Sequence, residues 1–234
     1  MSGLQAVFLL LAIVLMPLVP VFIWFKKKNF GTLRFLLAVT AGVLTVLIAA
    51  LLQSFFPLHL SGTSELVSLL FGVFIRVSLI EELCRALLLF LLFHFIPYSK
   101  VMYKNDQYKR TFEKEGSASP FFGAASGLAA GLGFAAAESI FYSLSNPGIA
   151  LLRLSSAAVH AACGIRTGAA LGIISKSRFN AFTLFISAFL IHSIYNFSVL
   201  NPVIPVFLPV FIAFAALASS LVSVYFGSRN ANIY

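Results

Sequence analysis

The sequence predicts an all-α fold, a polytopic membrane helix bundle of about seven transmembrane helices. Three observations carry that expectation. The 234-residue chain is 60% hydrophobic and 10% charged, with a mean hydropathy of +1.00, where a soluble domain carries about 25% charged residues. Its apolar runs reach the ~20 residues a membrane helix needs, and they are continuous rather than alternating, which argues against a β-barrel. The basic residues are also sorted onto alternate loops. Twelve of the 16 fall on one side: Lys26–Lys28, Arg34, Lys100, Lys104, Lys109, Arg110, Lys114, Lys176, Arg178 and Arg229. The loops near 57–65, 145–148 and 201–203 hold no Lys or Arg. The positive-inside rule then puts the N-terminus out and the C-terminus in. This sidedness accounts for the net charge of +9 without a nucleic-acid partner.

The expected spans are 4–25, 33–56, 66–96, 120–144, 149–174, 179–200 and 204–226. Span one has no charge before it and Lys26–Lys28 after it, the reverse of a cleavable signal peptide, so a retained helix is expected. One domain, 1–234, is expected, with a core near 66–200 and accessory helices at 1–56 and 204–226. Cys84 and Cys163 lie inside apolar runs, outside any disulfide or CxxC pattern, and read as small apolar fillers.

Span three carries Glu81, Glu82 and Arg85 in the apolar run from Leu66 to Ile96. Charge at that depth in lipid is costly and tends to mark function. Glu81 and Arg85 are i, i+4, and Glu82 and Arg85 are i, i+3, so the arginine reaches either carboxylate. The spacing favours Glu81 as its partner. Adjacent carboxylates in low dielectric repel. Pairing one with Arg85 leaves the other free to act as a general base, whereas a purely structural ion pair would not need a second glutamate. Arg76 lies on the opposite side of the helix from Arg85, where it either pairs with Glu138 or snorkels to the surface.

Spans four and five are built for close approach. Gly123, Gly127 and Gly131 repeat at i, i+4, as do Gly164, Gly168 and Gly172, and rows of small residues let membrane helices pack backbone to backbone. Glu138 continues the first row and His160 the second, so the packed faces carry polar residues inward. Arg153 shares the face of His160. Arg166 is expected to snorkel towards the inner surface. Span six stacks His192 above Asn196 at i, i+4, and both can donate to a developing oxyanion. His59 and His94 lie at span ends and read as interfacial. Asn146-Pro147 and Asn201-Pro202 read as ordinary turn chemistry.

Several mechanisms fail on spacing. No His-Glu-x-x-His is present. Asp106 is the only aspartate and sits in a basic loop, which excludes a two-aspartate intramembrane protease. Gly123-Ala-Ala-Ser126-Gly127 misses a rhomboid-type Gly-x-Ser-Gly by one position. Glutamate and histidine acting on water remain.

Four segments together resemble the PrsW family of intramembrane proteases. They are Glu81-Glu82-x-x-Arg85, the run Gly133-Phe134-Ala135-Ala136-Ala137-Glu138-Ser139, His160 with Gly164, and His192-x-x-x-Asn196. That family lies within a superfamily of CAAX-type prenyl endopeptidases and bacteriocin-processing or immunity proteins. The likeness spans roughly 78–197. It implies a glutamic-type membrane protease in which one of Glu81 and Glu82, with His160, activates water. His192 and Asn196 would hold the oxyanion, and Arg85 and Glu138 would support the site. Ser139 stands where the family usually has Asn, and Arg85 where Lys is common. Spacing favours Glu81 as the partner of Arg85, whereas the CAAX-type likeness makes the first glutamate the base, so both glutamates stay in the site.

The expected activity is hydrolysis of a peptide bond in a membrane-anchored protein or hydrophobic peptide, without a cofactor, in the lipid bilayer of a bacterial cytoplasmic membrane. A metal-dependent version uses the same residues, since Glu81, Glu82, Glu138, His160 and His192 can ligate a divalent ion such as zinc. A proton-coupled transporter or an assembly scaffold is the alternative class. Transporters often show internal repeats, and none beyond the glycine rows is evident.

Overall fold

A computed structural model describes residues 3–28, 30–57, 64–95, 120–145 and 150–230. Among these, every regular element is helical. The order is α1 (Gly3–Lys27), α2 (Thr32–Gln53), α3 (Glu65–Phe71), a π-helical segment (Gly72–Leu79), α4 (Ile80–Phe95), α5 (Pro120–Ser145), α6 (Ala150–Ile173), α7 (Arg178–Leu200) and α8 (Phe207–Asn230). Since α3, the π segment and α4 run on without a break, the described residues form seven helical rods at the seven expected places. Among the described residues, three stretches are long and apolar enough to cross a membrane by length and composition: Thr32–Gln53, Pro120–Phe141 and Arg178–Leu200. The chain is an integral membrane protein. His59, Asn146-Pro147, Asp106 and the basic residues from Lys100 to Lys114 lie outside the described residues.

The turn from α1 to α2 passes through Gly31, whose φ of 86° is left-handed backbone that an L side chain adopts only under strain. Beside it Phe25, Phe30, Phe35 and Phe122 form a buried aromatic cluster, with Phe25 and Phe30 edge to face at 5.4 Å. Arg34, counted among the loop cations, is instead buried in the first turn of α2 with its guanidinium 5.1 Å from the Phe122 ring centre.

The centre of the bundle is α5, which lacks side chains on two faces. A Cβ on Gly123, Gly127 or Gly131 would run into the backbone carbonyls of Gly168, Gly164 and His160. Those pairs follow one antiparallel register, so the two glycine rows face each other as their spacing predicts. The other face of α5 meets α2, where a Cβ on Gly133 would strike Val39 and one on Gly42 would strike Ala130. The difference in burial follows: 83% of the apolar window of α5 is buried, against 33% for α2 and 28% for α7. Around this core α7 and α8 pack on α6, and α4 leans on α2 and α6. Cys84 and Cys163 are buried, unbridged core residues, as expected.

Two further arginines find partners that the spacing did not name. Arg166 does not snorkel freely; serine hydroxyls on α7 and α8 hold it. Arg76 forms no ion pair with Glu138 among the described residues, and its Nε donates to the carbonyl of Gln53 at the end of α2, 3.2 Å away. Arg76 lies in the π segment, whose wider turn closes i→i+5 bonds, and it contacts α2 rather than the partners of Arg85.

Candidate active site

The polar residues of four helices converge on the buried face of α4. The π segment ends at Leu79, so Glu81 and Glu82 sit in the first turn of α4 and Arg85 one turn later. Wide turns of this kind recur at functional sites in membrane and soluble helices. Glu82 and Arg85 are both fully buried and form a close ion pair. The arginine therefore takes the i+3 glutamate, not the Glu81 that the i+4 spacing favoured. Tertiary contacts decide between them. Glu82 points towards α6 and α7, where Thr167 Oγ1 donates to its Oε2 at 3.1 Å and His192 Nδ1 lies 2.9 Å from its Oε1. Glu81 turns towards α2, where Gln53 Nε2 donates to its Oε1 at 3.1 Å.

Close packing of α5 on α6 brings a second carboxylate to a second imidazole. Glu138 Oε2 lies 3.0 Å from His160 Nε2 and accepts from Ser156 Oγ at 2.8 Å, with Arg153 Nη1 at 3.7 Å. The other nitrogen of His160, Nδ1, is 3.2 Å from Arg85 Nη2. A guanidinium can only donate. Nδ1 of a neutral His160 therefore accepts, and Nε2 carries the proton donated to Glu138. The ring is also fixed against Phe134, with centroids 4.4 Å apart, and the guanidinium of Arg85 lies 4.9 Å from the same Phe134 ring centre.

His192 is held in the same way. A carboxylate that is already ion-paired accepts from Nδ1–H, which turns Nε2 of the neutral ring towards Glu81 Oε2, 3.4 Å away. That Nε2 is buried and has no hydrogen-bond partner among the described residues. The two imidazoles meet edge to face at 4.8 Å. Glu81, His160 and His192 each offer one ligand atom, all within 4.8 Å of one another.

This donor set fits a divalent cation. It comprises two imidazoles and a carboxylate, the usual ligands of a catalytic zinc site. Each imidazole is backed by a carboxylate on its other nitrogen, His192 by Glu82 and His160 by Glu138, an arrangement that fixes tautomer and ring orientation in metal sites. The unpartnered His192 Nε2 facing a carboxylate oxygen is a natural place for a positive charge between them. Arg85 already contacts His160 Nδ1, so an ion and the guanidinium would compete for that lone pair.

Of the expected site residues, Glu81, Glu82, Arg85, Glu138, His160 and His192 form one connected cluster. Asn196 lies one turn beyond His192 and donates from Nδ2 to Ser78 Oγ at 3.4 Å, one turn before Glu82. His192 does not face the glutamates from across the site; it touches both of them. Three contributors escaped the reading of the sequence: Gln53, Thr167 and Ser156. Thr167 and Ser156 stand seven after and four before His160, on its helical face, which is a signal the spacing contained. Gln53 offers only a weaker one, a lone amide at the end of an apolar helix. His94 lies exposed at the end of α4, 6.2 Å from the Phe90 ring, in keeping with an interfacial place.

Searches of curated proteins and of solved structures each found no match. A family model described as PrsW family intramembrane metalloprotease matches residues 30–220, a range containing every member of the cluster. The chain belongs to the PrsW family of intramembrane metalloproteases, and the buried carboxylate–imidazole cluster is its candidate active site.

Proposed function

We propose that the chain hydrolyses a peptide bond of a membrane-anchored protein or hydrophobic peptide, within or beside the bilayer, in a reaction that depends on a divalent metal. What carries this reading is the convergence of Glu81, His160 and His192, with their ligand atoms within 4.8 Å of one another. These three residues would hold the ion. When bound, it would supply Lewis-acid polarisation of the scissile carbonyl and make water easier to deprotonate.

The chain's own residues divide the remaining work. A proton must leave the attacking water for a carboxylate. Glu82 is engaged by Arg85, His192 and Thr167, and Glu138 by His160, Ser156 and Arg153. Glu81 accepts from Gln53 alone, on Oε1. Its Oε2, which faces His192, is the oxygen it would offer to the ion, and Glu81, the least engaged of the three, is assigned here as the carboxylate whose Oε1 takes the proton and returns it to the leaving amine nitrogen. Such proton transfer contributes about 10²–10⁴ in rate. Glu82 and Glu138 hold the two rings in orientation. Asn196, half-buried one turn from His192, is the side-chain amide placed to donate to an oxyanion, for about 10²–10³. The same proposal takes 1–234 as one membrane domain with seven spans, the N-terminus out and the C-terminus in. It sits in a bacterial cytoplasmic membrane, with the core at about 66–200.

The test is cleavage of a single-span reporter protein by the chain reconstituted in liposomes, before and after treatment with a membrane-permeant chelator, with the metal content measured alongside. Cleavage should require about one equivalent of metal per chain, stop on chelation and return with zinc. Full cleavage by metal-free protein would refute the metal-dependent mechanism. Absence of cleavage by metal-loaded protein, with an unidentified partner retained, would favour a scaffold instead.

A further inference from the structure

One edge of the candidate active site is built where α2 ends. The helix stops at Gln53 and has no basic residue in its last turn. The last carbonyls of a helix lack intrahelical partners and carry a partial negative charge. At Gln53 two donors meet that carbonyl. The Phe56 amide donates to it at 3.2 Å, and Arg76 Nε donates to the same oxygen at 3.2 Å. The arginine comes from the π segment. Its charge complements the end of a helix that supplies no cation of its own.

The same residue carries the contact to Glu81. Gln53 Nε2 donates to Glu81 Oε1 at 3.1 Å. Arg76 and Glu81 therefore both reach Gln53, although they are five residues apart. In an α-helix, residues at that spacing point about 140° away from each other. Arg76 lies in the π segment, whose i→i+5 bonds widen the turn and narrow that divergence. On its other side the segment is tied to α7, where Asn196 Nδ2 donates to Ser78 Oγ at 3.4 Å and Phe74 meets Phe189 edge to face at 6.1 Å. The π segment is thus fixed between α2 and α7 just before the chain delivers Glu81.

This fixing bears on proton transfer. Each oxygen of a carboxylate has two lone pairs. On Glu81 Oε1 the Gln53 amide occupies one, which sets where the other points. That alignment is only as good as the hold on Gln53, a half-buried residue at the end of its helix, where helices fray. Two donors on its carbonyl fix the peptide plane of residue 53. With the plane is fixed the direction in which the side chain leaves the backbone.

We propose that Arg76 is a positioning residue for Glu81. By fixing the Gln53 carbonyl it aims the Gln53 amide at Glu81, and so aligns Oε1 to take the proton of the attacking water. Arg76 acts through Gln53. The catalytic part of this assignment rests on Glu81 as the proton acceptor, whereas the chain of contacts from Arg76 through Gln53 to Glu81 stands apart from it.

The experiment is a double-mutant cycle on the full chain in liposomes, read by cleavage of the single-span reporter. Arg76→Met removes the donor and keeps the length. It should lower kcat as much as Gln53→Leu does, about 10-fold, with KM unchanged, and Arg76→Lys, which can still donate, should recover most of the rate. In the Gln53→Leu background Arg76→Met should lower kcat no further, because the effect has only Gln53 to pass through. Losses that multiply to about 100-fold, or a change confined to KM, overturn the proposal. If wild type does not cleave, the proteolytic reading fails and a spectroscopic arm still decides on Arg76. The sequence has three glutamines, Gln5, Gln53 and Gln107, so selective ¹⁵N labelling resolves the Gln53 side-chain amide. In Arg76→Met its signal should move towards its position in Glu81→Ala, and an unmoved signal overturns the proposal. Should Arg76→Met fail to fold, folded wild type serves: one glutamine ¹³C-carbonyl should be dephased by arginine side-chain ¹⁵N and lose that dephasing in Arg76→Lys. No such pair would also overturn the proposal.

Discussion

Replacing Glu82 with glutamine should destabilise the bundle, whereas the same change at Glu81 should silence it and leave it folded. Glu82 and Arg85 are both completely buried and paired to each other. Glutamine at 82 would leave the guanidinium buried beside a neutral amide and would break the acceptor set for His192 Nδ1 and Thr167 Oγ1. Removing one partner of a buried ion pair costs roughly 3–5 kcal/mol, a large share of the roughly 5–15 kcal/mol that holds a typical domain together. At Glu81 the change touches one hydrogen bond, from Gln53, and a glutamine oxygen can still accept it, so the cost is about 1 kcal/mol or less. The proton acceptor is lost, however, together with one of the three groups proposed to hold the ion, and cleavage should fall by about 10²–10⁴ or more. Stability can be read from the fluorescence of Trp24, the only tryptophan, which packs edge to face on Phe25 and Phe30, during denaturant titration in micelles. Cleavage of the single-span reporter gives the rate. If Glu82→Gln unfolds where wild type does while Glu81→Gln cleaves at the wild-type rate, the two carboxylates have been assigned the wrong way round.

Three further outcomes test other parts of the arrangement. Gly127→Ala would drive a methyl into the Gly164 carbonyl, backbone against backbone, and should lower stability by about 1–3 kcal/mol or more, whereas Gly72→Ala, with nothing within 4 Å, should unfold like wild type; equal losses at both positions would contradict the packing account. Gln53→Leu removes the donor to Glu81 and should reduce kcat by about 10-fold with KM unchanged, and a change confined to KM would remove Gln53 from the positioning of the carboxylate. Glu138→Gln deprives His160 of the carboxylate behind it and should weaken zinc binding by about 10–100-fold, measured by competition with a chromophoric chelator; unaltered zinc affinity would show that Glu138 does not orient a ligand.

The candidate site was partly legible because much of it obeys helical periodicity. Glu81, Glu82 and Arg85 stand out as charges in an apolar run. Glu138 and His160 lie on the glycine rows, and those rows meet in the register that their spacing implies. His192 and Asn196 share a face for the same reason. The misreadings fall where a neighbouring helix intervenes. The partner of Arg85 could not be chosen from i+3 against i+4, because Thr167 and His192 draw Glu82 inward while Gln53 draws Glu81 aside. The Gln53 carbonyl that Arg76 meets lies on another helix, 23 residues away in sequence. Arg166 looked like a snorkelling cation because its serine partners are 21, 53 and 54 residues away in sequence.

By itself, then, the amino-acid sequence determined that this is a helical membrane protein, which helices pack without side chains between them, and which ionisable groups are carried into the bundle. Those properties are local, written in composition and in a 3.6-residue repeat. The tertiary structure alone decided that Glu82 is the arginine's partner and Glu81 the freer carboxylate, that both imidazoles are fixed from behind by carboxylates, and that Gln53 joins the site. Each of these depends on how one helix is rotated and shifted against another, and only the packed bundle sets that rotation and shift.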